Sequence, residues 1–248
     1  MNIALIPAEP ASIVVHLATG CVRVDGAYVS LSKRETQVVM KIACMTRPIA
    51  IDELAAAIFE NEAPVKNANN NIKVFMNRIR RKLGARAIVR SSLGYRLGNN
   101  VRCDITIFSH ALLDSRAERA LGDRLFRLIL ETISAVPAPN LVRYEWFDVA
   151  ARRSRHLARE LLLISSRQAT ANDDFELAAH LASLATLEDP TDEDALGIAC
   201  EALGRLGDYS TISRRIALHV DAVRNDLGSE PSDRVTELIA SSRPAYVG

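Results

Sequence analysis

The 248-residue sequence predicts a mainly α-helical protein with a small β component, organised as two domains. Three observations carry that expectation. Short β-prone runs, separated by Gly or Asp-Gly, are confined to the first hundred residues, and helical periodicity fills the rest. The charge divides at the same place: residues 1–100 carry 14 Lys and Arg against 7 Asp and Glu, whereas 101–248 carry 17 against 23. A net charge of +1 thus conceals a basic module joined to an acidic one. The expected domains are 1–100 and 101–248.

In the first domain, Ser12 to Leu17, Val22 to Val24 and Ala27 to Leu31 read as strands, with turns at Gly20 and Asp25-Gly26. Ser32-Lys-Arg-Glu35 has the form of a capping box, and Val38, Val39, Ile42 and Met45 give the helix it opens one buried face, ended by Arg47-Pro48. Asp52 is placed to cap a second helix with Leu54, Ile58 and Phe59 on its apolar side.

The third helix is the informative one. From about Asn69 to Leu83 the apolar residues Ile72, Phe75, Met76, Ile79 and Leu83 form a single stripe. Between them stand Asn70, Lys73, Asn77, Arg78, Arg80, Arg81 and Lys82, with no acid from Ala63 to Arg102. A solvated helix face usually mixes signs to form i,i+4 pairs. A face of amides and cations alone suits the DNA major groove: Asn pairs with adenine, Arg with guanine, and Val74 can touch a thymine methyl. After Gly84, Ala87 to Arg90 and Leu93 to Leu97 read as a second hairpin, from which Arg90 and Arg96 project.

Sheet, three helices and a basic hairpin are the order of a winged helix. The run Asn71-Ile-Lys-Val-Phe-Met-Asn-Arg-Ile-Arg-Arg-Lys-Leu83, followed by Gly94-Tyr95-Arg96-Leu97, resembles the DNA-binding domain of OmpR-type response regulators over residues 12–98. The resemblance implies a recognition helix on which Asn70, Val74, Phe75, Asn77, Arg78 and Arg80 face DNA, and a wing whose Arg90 enters the minor groove. Lys73 joins the major-groove set, and Lys66, Arg81, Arg86 and Arg96 are expected on phosphates. Asn70, Phe75 and Asn77 stand where relatives often carry Arg or His.

The second domain is expected to be all helical, without strands. Asp104 opens a helical stretch that continues to Ile133, Pro137-Ala-Pro139 breaks it, and helices follow over about 142–170, 174–187, 193–206 and 208–227, with a last one near Ser232. Asp174-Phe175 and Asp208-Tyr209 are 34 residues apart, and Ala178 with Ile212 and Ala182 with Ile216 keep the period. Thirty-four is the tetratricopeptide period. Leu187-Glu-Asp-Pro190, Glu193, Leu203, Gly207, Leu227-Gly228 and Pro231-Ser232 resemble, over residues 104–240, the bacterial transcriptional activator domain that follows the winged helix in the streptomycete antibiotic regulatory protein family.

No catalytic constellation is visible. Gly-x-Ser-x-Gly, His-Glu-x-x-His and the Gly-Lys of a phosphate loop are all missing from the sequence, and the five histidines are scattered. Cys21, Cys44, Cys103 and Cys200 never form Cys-x-x-Cys, which argues against a zinc module and a disulfide framework. No apolar run is long enough to span a membrane, and Met1 to Pro10 lacks the basic stretch of a secretory signal. The expectation is a cytoplasmic transcription regulator, not an enzyme, with no cofactor and no metal. Its expected partner is double-stranded DNA. The resemblance adds activation, contact with RNA polymerase, and a second copy of the chain as further partners. The rival is a protein-interaction scaffold or repressor whose helical domain binds a protein and whose DNA binding is weak.

Overall fold

The structure is a computed structural model and describes residues 13–60, 67–115 and 122–241. The fold is mainly α with a small β component: a winged helix at the N-terminal end is followed by stacked helices. The chain divides into two compact units. The first runs to Ile107 and takes back Ala135–Ser154; the second comprises Phe108–Ser134 and Arg155 onward.

In the first unit, β1 (Ile13–His16), β2 (Cys21–Val24) and β3 (Ala27–Tyr28) form an antiparallel meander through the turns at Gly20 and Asp25-Gly26. Those turns need left-handed backbone, at φ 76° for Gly20 and 50° and 85° for Asp25 and Gly26. A fourth strand, β6 (Val101–Cys103), lies parallel to β1, in the sheet order β3-β2-β1-β6. The expectation that no strand follows residue 100 is therefore corrected. Three residues after the Gly98-Asn-Asn turn are too short for a periodic signal, and β6 exists because β1 offers it an open edge.

Helix α1 (Lys33–Ala43) starts as its sequence requires, with both bonds of the Ser32/Glu35 capping box formed. It stops before Met45. Helix α2 (Ile51–Phe59) has Ala50 at its N-cap without a side-chain bond. Asp52, expected as that cap, sits inside the first turn, and its carboxylate accepts from the Asn69 amide instead. Helix α3 (Ala68–Leu83) packs on both, and the hairpin of β4 (Ile88–Ser91) and β5 (Gly94–Leu97) follows it. Val38, Met40, Leu54, Ile58, Ile72 and Ile79 form the heart of the core.

The segment from Ala135 to Ser154 belongs to this core, although the sequence shows there only a proline break and the onset of a helix. Leu141, Tyr144 and Phe147 are buried in it. The Tyr144 hydroxyl donates to the Ile58 carbonyl at 3.1 Å, the Gln37 amide donates to the Asn140 carbonyl at 3.3 Å, and the Ala138 N–H donates to the Thr19 carbonyl at 3.1 Å. A buried phenol with a satisfied hydroxyl combines apolar area with a directional bond, so this segment closes the far side of α1 and α2.

Helices α4 (Asp104–Ser115), α5 (Asp123–Ile133), α6 (Glu145–Ala171), α7 (Phe175–Glu188), α8 (Glu193–Arg205), α9 (Tyr209–Ala222) and α10 (Asp233–Ser241) make up the rest, with a π turn at Val223–Leu227 after α9. In the second unit, the 34-residue period is written into the backbone. Asp173 and Gly207 both take positive φ, at 61° and 74°. The next N–H in each copy, of Asp174 and of Asp208, donates back to Ala169 and Leu203 at 2.9 and 3.0 Å. Asp174 and Asp208 then cap α7 and α9 in the same way, accepting from Leu177 N–H and Thr211 N–H. Ala178, Ala182, Ile212 and Ile216 are all buried, as the period requires.

Asp104 is a buried carboxylate in the first unit. It accepts from the Ala18 N–H at 3.1 Å and the Ile105 N–H at 2.9 Å. Burial outweighs those bonds and pushes its carboxyl up to about 6. A raised folded-state value means that the folded protein holds this proton more tightly than the unfolded chain. The stability due to that proton is complete below the unfolded value and is lost as pH rises through about 6. Urea unfolding of the natural chain beside Asp104→Asn should therefore show the advantage of the natural chain growing as pH falls from 7.5 toward about 4. A gap that shrinks over that range would contradict the assignment.

Candidate nucleic-acid interface

Helix α3 turns about 100° per residue, which divides its sixteen positions into two faces. Ile72, Met76, Ile79 and Leu83 point into the core, and Phe75 packs half-buried beside them. Asn70, Lys73, Val74, Asn77, Arg78 and Arg81 recur at offsets of 0, 3, 4, 7, 8 and 11, so they share the opposite face, and all are exposed. Val74, at 45% exposure, is an apolar contact in the middle of that polar surface. Among the described residues, Lys73, Arg78 and Arg81 have no carboxylate partner.

The two remaining cations of α3 stand on its flanks and are engaged within the protein. Arg80 Nε donates to the Ile88 carbonyl at 3.0 Å, and its guanidinium lies 6.0 Å from the Tyr95 ring. Lys82 Nζ lies 2.7 Å from Glu35 Oε2 and donates to the Ser30 carbonyl at 3.0 Å. These positions are 90° or more from the middle of the outward face, within reach of β4 on one side and α1 on the other. Phe75, expected by resemblance to face DNA, is on the inward half for the same reason.

Glu35 therefore has two duties. It closes the α1 cap and receives Lys82 in a site where its own side chain is 3% exposed. Burial alone would raise its carboxyl, but the Lys82 ammonium and the Ser32 amide overcome that and hold it below the usual range.

The wing is held by a second device. Ile49 N–H donates to the Tyr95 carbonyl and Tyr95 N–H to the Ile49 carbonyl, both at 2.8 Å. This close approach explains Gly94. Its φ is 133°, and a Cβ there would meet the Ile49 carbonyl oxygen at 2.2 Å. The Tyr95 ring is buried beneath the hairpin, with the Arg90 guanidinium 6.0 Å away. Arg90 and Arg96 are exposed on the ribbon, Arg96 also donating to the Leu97 carbonyl and to Asn99 Oδ1 at 3.2 Å. Arg86 is exposed in the turn between α3 and β4. Lys66 lies outside the described residues.

The structure thus brings Asn70, Lys73, Val74, Asn77, Arg78 and Arg81 onto one face and sets Arg86, Arg90 and Arg96 on the adjoining turn and hairpin. Sequence reasoning missed that Arg80 and Lys82 are tied, because a count of cations does not show which neighbour lies within reach. It also missed the Ile49–Tyr95 pair, for which the only signal is Gly94 ahead of an aromatic residue.

No protein-family model matches the chain, and no curated protein does. Among solved structures it is similar to Mycobacterium tuberculosis EmbR in complex with a low-affinity phosphopeptide. The TM-score is 0.64 at 18% identity, over 93% of this chain and 65% of that one. At that identity the likeness shows a shared fold, and this chain spans less than two thirds of the other's length. Among the described residues, no helix is long and apolar enough to cross a membrane and no cluster of potential metal ligands is present.

Replacing Lys82 by Met tests the flank assignment. It removes the partner of a buried carboxylate, and the expected cost is about 1–3 kcal/mol of stability at neutral pH. A carboxyl held below its ordinary value gives stability above the unfolded value that is lost as pH falls. The difference between the two proteins in urea titrations should therefore narrow in acid.

Proposed function

We propose that this chain is a sequence-specific DNA-binding transcription regulator. The observation that carries the reading is the outward face of α3. Asn70, Asn77 and Arg78 supply bidentate base readers, Val74 supplies a methyl contact, Lys73 adds a cation in the major groove, and Arg81 supplies a phosphate contact, with no carboxylate among them. A recognition helix needs its side chains unengaged before DNA arrives, and among the described residues the cations of this face have no carboxylate partner, which supports the reading. Arg90 would reach the adjoining minor groove from the wing, while Lys66, Arg86 and Arg96 would add phosphate contacts. Arg80 would contribute through its remaining guanidinium hydrogens while staying fixed to the wing.

Activation through RNA polymerase rests on the resemblance of residues 104–240 to the bacterial transcriptional activator domain. The stacked helices of the second unit support it in physical terms, since such hairpins present an extended protein-facing surface. Association with a second copy of the chain is part of the same reading.

The test begins with selection of bound fragments from random double-stranded DNA. On a selected site, Arg78→Ala should lose about 1–3 kcal/mol of affinity and relax the preference at one position. Arg81→Ala should weaken all sequences alike and lower the salt slope by about one unit. Affinity should fall steeply with salt, because phosphate contacts release counterions. Weak, sequence-blind association that Arg78→Ala leaves unchanged would favour the scaffold reading instead.

A further inference from the structure

The second unit contains a cavity of about 540 Å³ between α7, α8 and α9, within the range of small-molecule sites. Leu184, Leu187, Pro190, Leu196 and Leu218 give it an apolar wall. Although the stretch 171–204 carries nine carboxylates, no described Asp or Glu lines the cavity. The two hydroxyl groups on the α7 side are already engaged: Ser183 donates to the Ala179 carbonyl, and Thr186 donates to the Ser183 carbonyl at 2.8 Å.

Two nitrogen-bearing side chains on α9 are different. Arg215 and His219 both line the cavity and stand one helical turn apart. His219 is 3% exposed, and its Nδ1 lies 3.0 Å from the Pro190 carbonyl oxygen. A carbonyl only accepts, so Nδ1 carries the hydrogen and the ring orientation is fixed. Nε2 is then buried and has no partner among the described residues. The Nε of Arg215 is in the same condition, and no described carboxylate pairs with its guanidinium. Burial, and then the neighbouring Arg214 charge, hold the Arg215 pKa below the ordinary value. A half-buried cation without a carboxylate partner among the described residues is costly unless something completes it.

We propose that this cavity is a binding site for a small organic carboxylate, with its apolar body among the leucines and its carboxylate on Arg215. The guanidinium donates to one or both carboxylate oxygens. A dianionic phosphate suits the site less. The wall is mostly apolar, and one guanidinium offers a dianion too few donors.

Calorimetric titration of the full chain with octanoate, octan-1-ol and acetate tests the proposal. Octanoate should bind saturably and at least about tenfold more tightly than either the alcohol, which lacks the charge, or acetate, which lacks the apolar body. Arg215→Gln should remove the preference for octanoate over the alcohol, whereas Arg214→Gln, a change at an exposed neighbour, should keep it. Leu187 is 69% exposed at the cavity, so Leu187→Asp leaves the core intact. It places a like charge near the carboxylate and should weaken octanoate more than the alcohol. Absence of saturable octanoate binding, affinity no better than that of the alcohol, or insensitivity to both Arg215→Gln and Leu187→Asp overturns the proposal.

Discussion

The pair of 2.8 Å hydrogen bonds between Ile49 and Tyr95 is the constraint on which the rest of the winged helix depends. It fastens the β4–β5 hairpin to the segment that leads into α2, and α2 packs on α3. The hairpin is thereby set relative to α3 by main-chain bonds rather than by side chains alone. Arg80 adds a second tie, from α3 to the Ile88 carbonyl. Only because Gly94 lacks a side chain can the two backbones approach, so the Gly-Tyr pair answers first to geometry. A wing and a helix that keep a fixed separation have little relative freedom left to lose when any partner binds across both.

Charge on α3 is sorted by angle around the helix axis. Among the described residues, cations pointing outward find no acid, whereas those on the flanks find a carbonyl or a carboxylate of the protein itself. Glu35 shows how economical the arrangement is. One buried side chain caps α1, receives Lys82 and so holds two helices of the trihelical core together. It achieves this only because Lys82 offsets the cost of burying its charge.

Much of this was legible in the sequence. The Ser32/Glu35 cap, the stripe Ile72-Met76-Ile79-Leu83 and the Asp-aromatic pairs 34 residues apart are local signals, set by neighbours within one helical turn or one repeat, and the structure has each of them. What escaped depends on partners far away in the chain. Strand β6 exists because β1 has a free edge, Asp52 leaves its expected cap for Asn69, and Tyr144 is core because Ile58 presents a carbonyl across eighty-six residues. Of the residues expected to face DNA, Phe75 has a helical angle that sends it inward and Arg80 one that sends it to a flank. A closer reading of the 100° periodicity would have separated both from Asn70, Asn77 and Arg78.

The matching turns at Asp173 and Gly207 give the second unit a kind of translational symmetry. Each returns the chain through the same left-handed residue and the same backward bond, and each hands it to an aspartate that opens the next helix. A stack built this way is modular: a further copy of the hairpin, spliced in at such a seam, would find the same docking surface its predecessor left behind. The reach of the helical array can therefore change in whole steps, by insertion or loss of one hairpin, without redesigning the hairpins that remain.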